Sequence, residues 1–206
     1  MNETYSLSLA LVDFIPSIAF AAGAAFLIQL VWRECGKVCA SLMLAGSVLV
    51  FLAGFFKALW KLLYAAEVAN ILILSELQFV LLAPGFVLML ISVVQLSRLG
   101  RKAPASALLV TPWKIPFLFV MVLSSLGIHG ILTYTCFQRN TKWAAIGFII
   151  AFLSVLAMGG MASAEQTISL QWIAESVNSL GQVGFAVGCY LLYRASTTQP
   201  AAPLAA

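Results

Sequence analysis

The chain is short of charge. Only 9% of its 206 residues are Asp, Glu, Lys or Arg, whereas a soluble domain carries roughly 25%. Hydrophobic residues make up 63%, and the mean hydropathy is +1.05. These values exclude a soluble enzyme, a disordered protein and a small disulfide scaffold, and they leave an integral membrane protein built as one compact domain.

Residues that carry recognisable chemistry are also scarce. The chain has one histidine, His129, and four cysteines without a CxxC pair. No serine lies in a GxSxG motif, and no glycine-rich phosphate loop or basic stripe interleaved with aromatics is present. We therefore expect no metal, no cofactor and no nucleic-acid partner. A membrane-embedded enzyme built on Glu76, Glu175 and His129 is the least favoured hypothesis.

Long apolar runs are abundant. A helix needs roughly 20 mostly apolar residues to cross a membrane, and the backbone must satisfy its own hydrogen bonds in lipid. The sequence thus predicts an all-α polytopic membrane helix bundle at 1–194, followed by a disordered tail at 195–206. The six predicted spans are Leu7 to Val31, Val38 to Leu62, Val68 to Leu96, Trp113 to Cys136, Trp143 to Ala162 and Ile168 to Tyr193.

The basic residues give a weak orientation signal. If the six spans alternate, one side carries six Lys or Arg and the other five. The densest cluster, Arg98 to Lys102, favours a cytoplasmic central loop. This assignment places both termini outside, in a plasma or inner membrane.

The central loop divides the spans into two sets of three, with halves at 1–98 and 112–194. Ile15-Pro16 recurs as Ile115-Pro116, and Gly85-Phe86 recurs as Gly184-Phe185, at offsets of 100 and 99 residues. If the spans alternate, the two halves run in opposite directions. The pattern suggests an inverted three-plus-three repeat, with chance matching as the alternative.

Polar residues form a stripe in the sixth predicted span. Gln171, Glu175, Asn178 and Gln182 are spaced four, three and four residues apart, which places them on one helix face. Such a face is expensive in lipid, so it should line a path for an ion or a small polar solute. Hydrogen bonding between helices is the structural alternative.

The third predicted span adds Glu76 and Gln78 to this candidate path. Lys57, in the second span, is the candidate charge partner of an intramembrane carboxylate. Lys61 is expected to extend to the membrane interface, and Asp13, near a helix end, is expected to be solvated.

Two further features concern titratable groups. His129 is either a proton-relay or pH-sensing group or a neutral core histidine bonded to a backbone carbonyl. Cys136 and Cys189 lie near helix ends on one side, where an oxidising compartment would allow a disulfide bridge.

Small residues and one proline predict how the helices pack. Small residues spaced four apart allow helices to approach closely, and a proline within a helix removes one backbone hydrogen bond. The predicted packing residues are Ala19, Gly23, Pro84, Gly181, Gly184 and Gly188.

Two main functional hypotheses follow. The first is a small transporter or channel with a path lined by the third and sixth spans. The second is a membrane assembly factor, sensor or regulatory subunit whose polar stripe binds a partner helix. In either case the lipid bilayer is a partner; a homo-oligomer and a partner membrane subunit are two further hypotheses.

Overall fold

The computed structural model describes residues 6–97, 114–161 and 167–198. These residues are almost entirely helical and contain no strand, which confirms the predicted all-α bundle. The predicted tail begins inside a helix, because the last helix continues to Thr198; residues 199–206 lie outside the described residues. The helices are α1 (Leu7–Val12), α2 (Phe14–Cys35), α3 (Lys37–Ala65), α4 (Leu72–Leu96), α5 (Lys114–Gln138), α6 (Lys142–Met161) and α7 (Ile168–Thr198).

Five helical spans in the described residues are long and apolar enough to cross a membrane. The first is the continuous stretch of α1 and α2, Leu7–Cys35, and the others belong to α3, α4, α5 and α6. Helix α7 is the sixth predicted span. Its 31 residues are ample for a crossing, but the polar stripe makes it less apolar than the other five.

Helix α7 packs against α2 in the same direction. Phe20 stacks on Phe185, the ring of Phe26 lies 5.1 Å from that of Tyr190, and Arg33 lies over the ring of Tyr193. Later residues of α2 thus meet later residues of α7.

Helices α5 and α4 also run in the same direction. Arg139, directly after α5, forms a bidentate ion pair with Glu34 near the end of α2. This hydrogen-bonded pair raises the pKa of the Arg139 guanidinium. Because α4 ends beside the start of α3, where Cys39 contacts Gln95, the ends of α2, α4 and α5 all lie at one end of the bundle.

The two ends of the bundle are named here by one residue each. The Arg139 end holds the ends of α2, α4, α5 and α7 and the starts of α3 and α6. The Lys61 end holds the starts of α1, α4, α5 and α7 and the ends of α3 and α6.

This arrangement corrects the predicted direction of the halves. Helices α2, α3 and α4 run in the same directions as α5, α6 and α7, so an internal repeat would be parallel and not inverted. The prediction assumed that every loop begins and ends on the same side of the membrane, but α4 ends and α5 begins at opposite ends of the bundle. For the same reason, the start of α1 and the end of α7 lie at opposite ends of the bundle. The predicted placement of both termini outside concerns residues 1–5 and 199–206, which lie outside the described residues.

Matching glycine contacts hold the second and third helices of each half together. In the first half, a Cβ added at Gly46 would lie 2.6 Å from the carbonyl oxygen of Gly85. In the second half, a Cβ added at Gly147 would lie 2.5 Å from the carbonyl oxygen of Gly184. Such approaches are closer than any side chain allows, so these four positions bring the helix backbones into direct contact.

The fully buried side chains are concentrated toward the Arg139 end. There they fill the space between the helices, whereas the half of the bundle near the Lys61 end contains a cavity. The large apolar residues that close the Arg139 half are Leu27, Leu30, Val31, Met43, Val93, Leu132, Phe148 and Leu192.

Candidate functional site

A cavity of about 370 Å³ lies between the six long helices. This volume falls in the range of ordinary small-molecule sites. Every one of α2 to α7 contributes to its wall. Polar lining residues are Asp13, Ser17, Lys57, Gln78, Ser125, His129, Ser154, Asn178 and Gln182, and aromatic lining residues are Phe20, Phe79 and Phe86.

Aromatic rings and His129 form the deep part of this cavity. His129 is buried, and its ring meets that of Phe185 edge-on with centroids 5.8 Å apart. Phe185 also stacks on Phe20 and contacts Phe148. This cluster separates the cavity from the packed Arg139 half.

The histidine has a local hydrogen-bond partner. Its Nδ1 lies 2.7 Å from the carbonyl oxygen of Ser125, one helical turn earlier. Because a carbonyl oxygen only accepts, Nδ1 carries the hydrogen. The arrangement matches the predicted core histidine bonded to a backbone carbonyl, and it still leaves the ring on the wall of the cavity.

A buried charge cluster lies at the Lys61 end of the cavity. The Nζ of Lys61 is 2.6 Å from Oε1 of Glu175 and 2.9 Å from Oδ2 of Asp13. Each of the three side chains is at most 7% exposed. Asp13 is the member of the cluster that lines the cavity, so the cluster lies directly behind the cavity wall.

The helices bring these three residues together from distant parts of the chain. Asp13 lies at the junction of α1 and α2, Lys61 lies one turn before the end of α3, and Glu175 lies two turns into α7. Helix α7 can reach Asp13 only because it runs in the same direction as α2.

Sequence reasoning missed two members of this cluster. Asp13 was expected to be solvated and Lys61 to extend to the interface, because both lie near helix ends. A signal was available in the spacing of Lys57 and Lys61: residues four apart share one helix face, so both lysines were candidates for the same interior.

The structure brings together most of the predicted path residues. Gln78, Asn178 and Gln182 line the cavity, and Glu175 is buried in the charge cluster beside it. Lys57 also lines the cavity, but the ion pair with Glu175 is made by Lys61. The exceptions are Glu76, which is exposed, and Gln171, which is half-buried; neither lines the cavity.

The predicted packing residues lie mostly at helix contacts. Gly23 meets Phe185 and Ala186 of α7, while Gly181, Gly184 and Gly188 all face α6. Ala19 is half-buried, and Pro84 lies inside the continuous helix α4 with its side chain exposed.

Neither the cysteines nor the acidic groups form a further site within the described residues. All four cysteines are free, so the suggested bridge between Cys136 and Cys189 is absent. The described part of the chain holds no group of three or more metal-ligating side chains.

Comparison with known proteins adds no family to this description. No family model, no curated protein and no solved structure matches the chain.

Proposed function

We propose that this multi-pass membrane protein is a small transporter that binds a polar solute in the central cavity and carries it across the membrane. The observation that carries the proposal is the cavity itself, which is lined by residues of all six long helices, among them amides, hydroxyls and a lysine. Polar side chains within membrane helices are costly and therefore mark solute paths or interhelical bonds.

The closed Arg139 half favours a carrier over an open channel. Below the Phe20 and Phe185 rings, the space between the helices is filled by fully buried apolar side chains. A carrier exposes its site to one side at a time, whereas a channel needs a continuous path. The filled space in the Arg139 half corresponds to a site that is closed toward that end.

The lining indicates the kind of solute. Gln78, Asn178 and Gln182 offer both donors and acceptors, and Lys57 offers a positive charge. Phe79 and Phe86 provide apolar surface. A small molecule with an anionic or strongly polar group and an apolar part fits this combination.

The polar stripe of α7 speaks against the alternative of a docking face for a partner helix. Glu175 is buried, and Asn178 and Gln182 face the cavity inside the protein's own bundle. A helix that recruits a partner through these groups would have to present them to lipid.

Cysteine accessibility tests whether the cavity is wet. In a background with the four native cysteines replaced by alanine, Asn178→Cys should react with a charged, water-soluble methanethiosulfonate. The matched control is Val183→Cys, on the exposed, apolar side of the same helix, which should react far more slowly in lipid. Equal, slow reaction at both positions would contradict a hydrated solute site.

Transport is tested in proteoliposomes. The purified protein would be assayed for uptake of a radiolabelled neutral amino acid, a sugar and a monocarboxylate. Uptake of one class should fall at least tenfold in Gln182→Leu, because the substitution removes hydrogen bonds from the cavity wall. The exposed substitution Glu76→Gln should leave uptake unchanged.

We further propose that the Arg139 end faces the cytoplasm. Arg33, Lys37, Arg139, Lys142 and Arg194 all lie at this end, and positively charged residues are retained on the cytoplasmic side. Of the basic residues described at the other end, Lys57 and Lys61 are engaged inside the bundle, and Lys114 is the third. The cavity half would then face the exterior.

A further inference from the structure

We propose that the cluster of Asp13, Lys61 and Glu175 is a proton-binding site, and that its proton is the ion coupled to solute movement. The coupling role rests on the proposed transport function. The binding of the proton itself does not, and it is argued from the geometry of the cluster.

The cluster has more acid than base. One ammonium nitrogen, Nζ of Lys61, contacts a carboxylate oxygen of each of two acids. If both acids are ionised, these three groups carry one negative charge in excess. Lys57 is the next cation and attracts both acids from a distance, but it makes no ion pair within 4.0 Å in the described residues. A negative charge without a contacting cation is expensive to bury in a membrane span, and a proton on one carboxylate removes it.

The two carboxyl groups also lie close to each other, because Oδ2 of Asp13 and Oε1 of Glu175 both lie within 2.9 Å of the same Nζ of Lys61. Two ionised carboxylates so close repel each other, and a proton on one of them removes the repulsion. The Oδ2 of Asp13 and the Oε2 of Glu175 are both buried without a hydrogen-bond partner in the described residues. One proton shared by the two acids accounts for both the close approach and the unpartnered oxygens.

The proton has a route to water. Asp13 lines the cavity, so its carboxyl group can exchange a proton with cavity water and pass it to Glu175. The step is a simple protonation: a carboxylate oxygen takes up a proton from water, and no other bond changes. The charge of the three groups rises from minus one to zero.

The titratable side chains in and around this cluster come from four parts of the fold. Helix α3 contributes Lys57 and Lys61, α7 contributes Glu175, and the α1–α2 junction contributes Asp13. Across the cavity, α5 contributes His129. The lining residues from α4 and α6 include no titratable group.

The donor set favours a proton over a metal cation. A sodium or divalent ion needs several oxygen ligands, but an oxygen of each acid is already occupied by Lys61. The described residues provide no group of three acidic, histidine or cysteine side chains that could complete a coordination shell.

Asp13 is the one aspartate in the sequence, which allows a direct measurement without substitution. Protein labelled with carbon-13 at the aspartate side-chain carboxyl gives a single resonance from the cluster. We expect this resonance to move with pH across the neutral range in full-length protein in detergent. In Glu175→Gln the movement should disappear from that range, because Asp13 then pairs alone with Lys61 and stays ionised.

The matched control is Glu67→Gln, an exposed carboxylate in the connection between α3 and α4. It should leave the Asp13 titration as it is in the wild type. A wild-type resonance that stays at the carboxylate position throughout would overturn the proposal. A resonance that follows sodium concentration at fixed pH would overturn it in favour of a sodium site.

If Glu175→Gln does not fold, labelling the wild type with carbon-13 glutamate provides the second measurement. The infrared band of a protonated carboxylic acid should then shift with glutamate labelling, with aspartate labelling, or with both. A neutral-pH spectrum with no carboxylic acid band that responds to either label would also overturn the proposal.

Coupling is measured separately, with a pH-sensitive dye inside proteoliposomes. Proton entry should accompany uptake of the transported solute in the wild type and be lost in Glu175→Gln. Proton binding without any solute uptake would refute the proposed transport function and leave the proton site standing. Uptake without proton entry would refute the coupling alone.

Discussion

At the scale of single residues, side chains near helix ends were the hardest to interpret. Lys61 lies one turn from the end of α3, a position where a lysine usually extends to the interface. Its sequence neighbours do not reveal that Asp13 and Glu175 converge on it, because both contacts depend on how the helices are arranged. The positions of Gln78, Asn178 and Gln182 on the cavity wall were predictable, since amides within apolar helices must face inward.

Lys61→Met should destabilise the protein strongly. The substitution leaves two buried carboxylates without the cation that contacts them, and breaking a buried ion pair in this way costs about 3–5 kcal/mol. Thermal unfolding in detergent near neutral pH would measure the loss as a lower melting temperature.

The matched control for this experiment is Lys57→Met, one turn earlier on the same helix. Lys57 lines the cavity and makes no ion pair within 4.0 Å in the described residues. Its loss should change the melting temperature little, and equal effects of the two substitutions would contradict the assigned role of Lys61.

At the scale of helices, the boundaries were predictable and the close contacts partly so. Hydrophobic length identified all six long helices, because lipid requires each crossing to be a helix. The spacing of Gly181, Gly184 and Gly188 predicted a close contact for α7 but not its partner, α6. Gly46 and Gly147 gave no comparable signal, since single glycines are common in apolar helices.

Gly147→Leu should weaken the packing of α6 against α7. A side chain at this position meets the backbone of Gly184 and Gly188, so the helices must separate, at a cost of roughly 1–3 kcal/mol. Chemical unfolding in detergent would measure this loss.

Gly130→Leu on α5 is the control, because nothing lies within 4 Å of a Cβ added there. It should unfold at the same denaturant concentration as the wild type. A similar loss in both variants would indicate a general effect of replacing glycine.

At the scale of the whole molecule, the direction of the second half was the feature that the sequence could not provide. Counting spans assumes that each loop begins and ends on the same side of the membrane. A hydropathy pattern cannot detect an exception to this rule. The ion pair of Glu34 with Arg139 and the stacking of Phe20 on Phe185 are what reveal it. Once the ends are reassigned, five of the eight Arg and Lys residues in the described part of the chain lie at the Arg139 end.

Labelling from outside the cell tests this orientation. In the cysteine-free background, Ser6→Cys at the Lys61 end should react with a membrane-impermeant maleimide in intact cells. Thr197→Cys at the Arg139 end should react only after the membrane is permeabilised. Reaction of both in intact cells would support the simpler arrangement with both termini outside.

The uneven filling of the bundle has a further consequence for how the backbone fluctuates. Local opening is easiest where few buried apolar contacts must be broken. Amide hydrogens in the first turns of α4 and α7 should therefore exchange with deuterium sooner than those around Leu30, Val93 and Leu192. Mass spectrometry of the exchanging protein would record a gradient of protection along the membrane normal, with the slowest amide exchange in the Arg139 half.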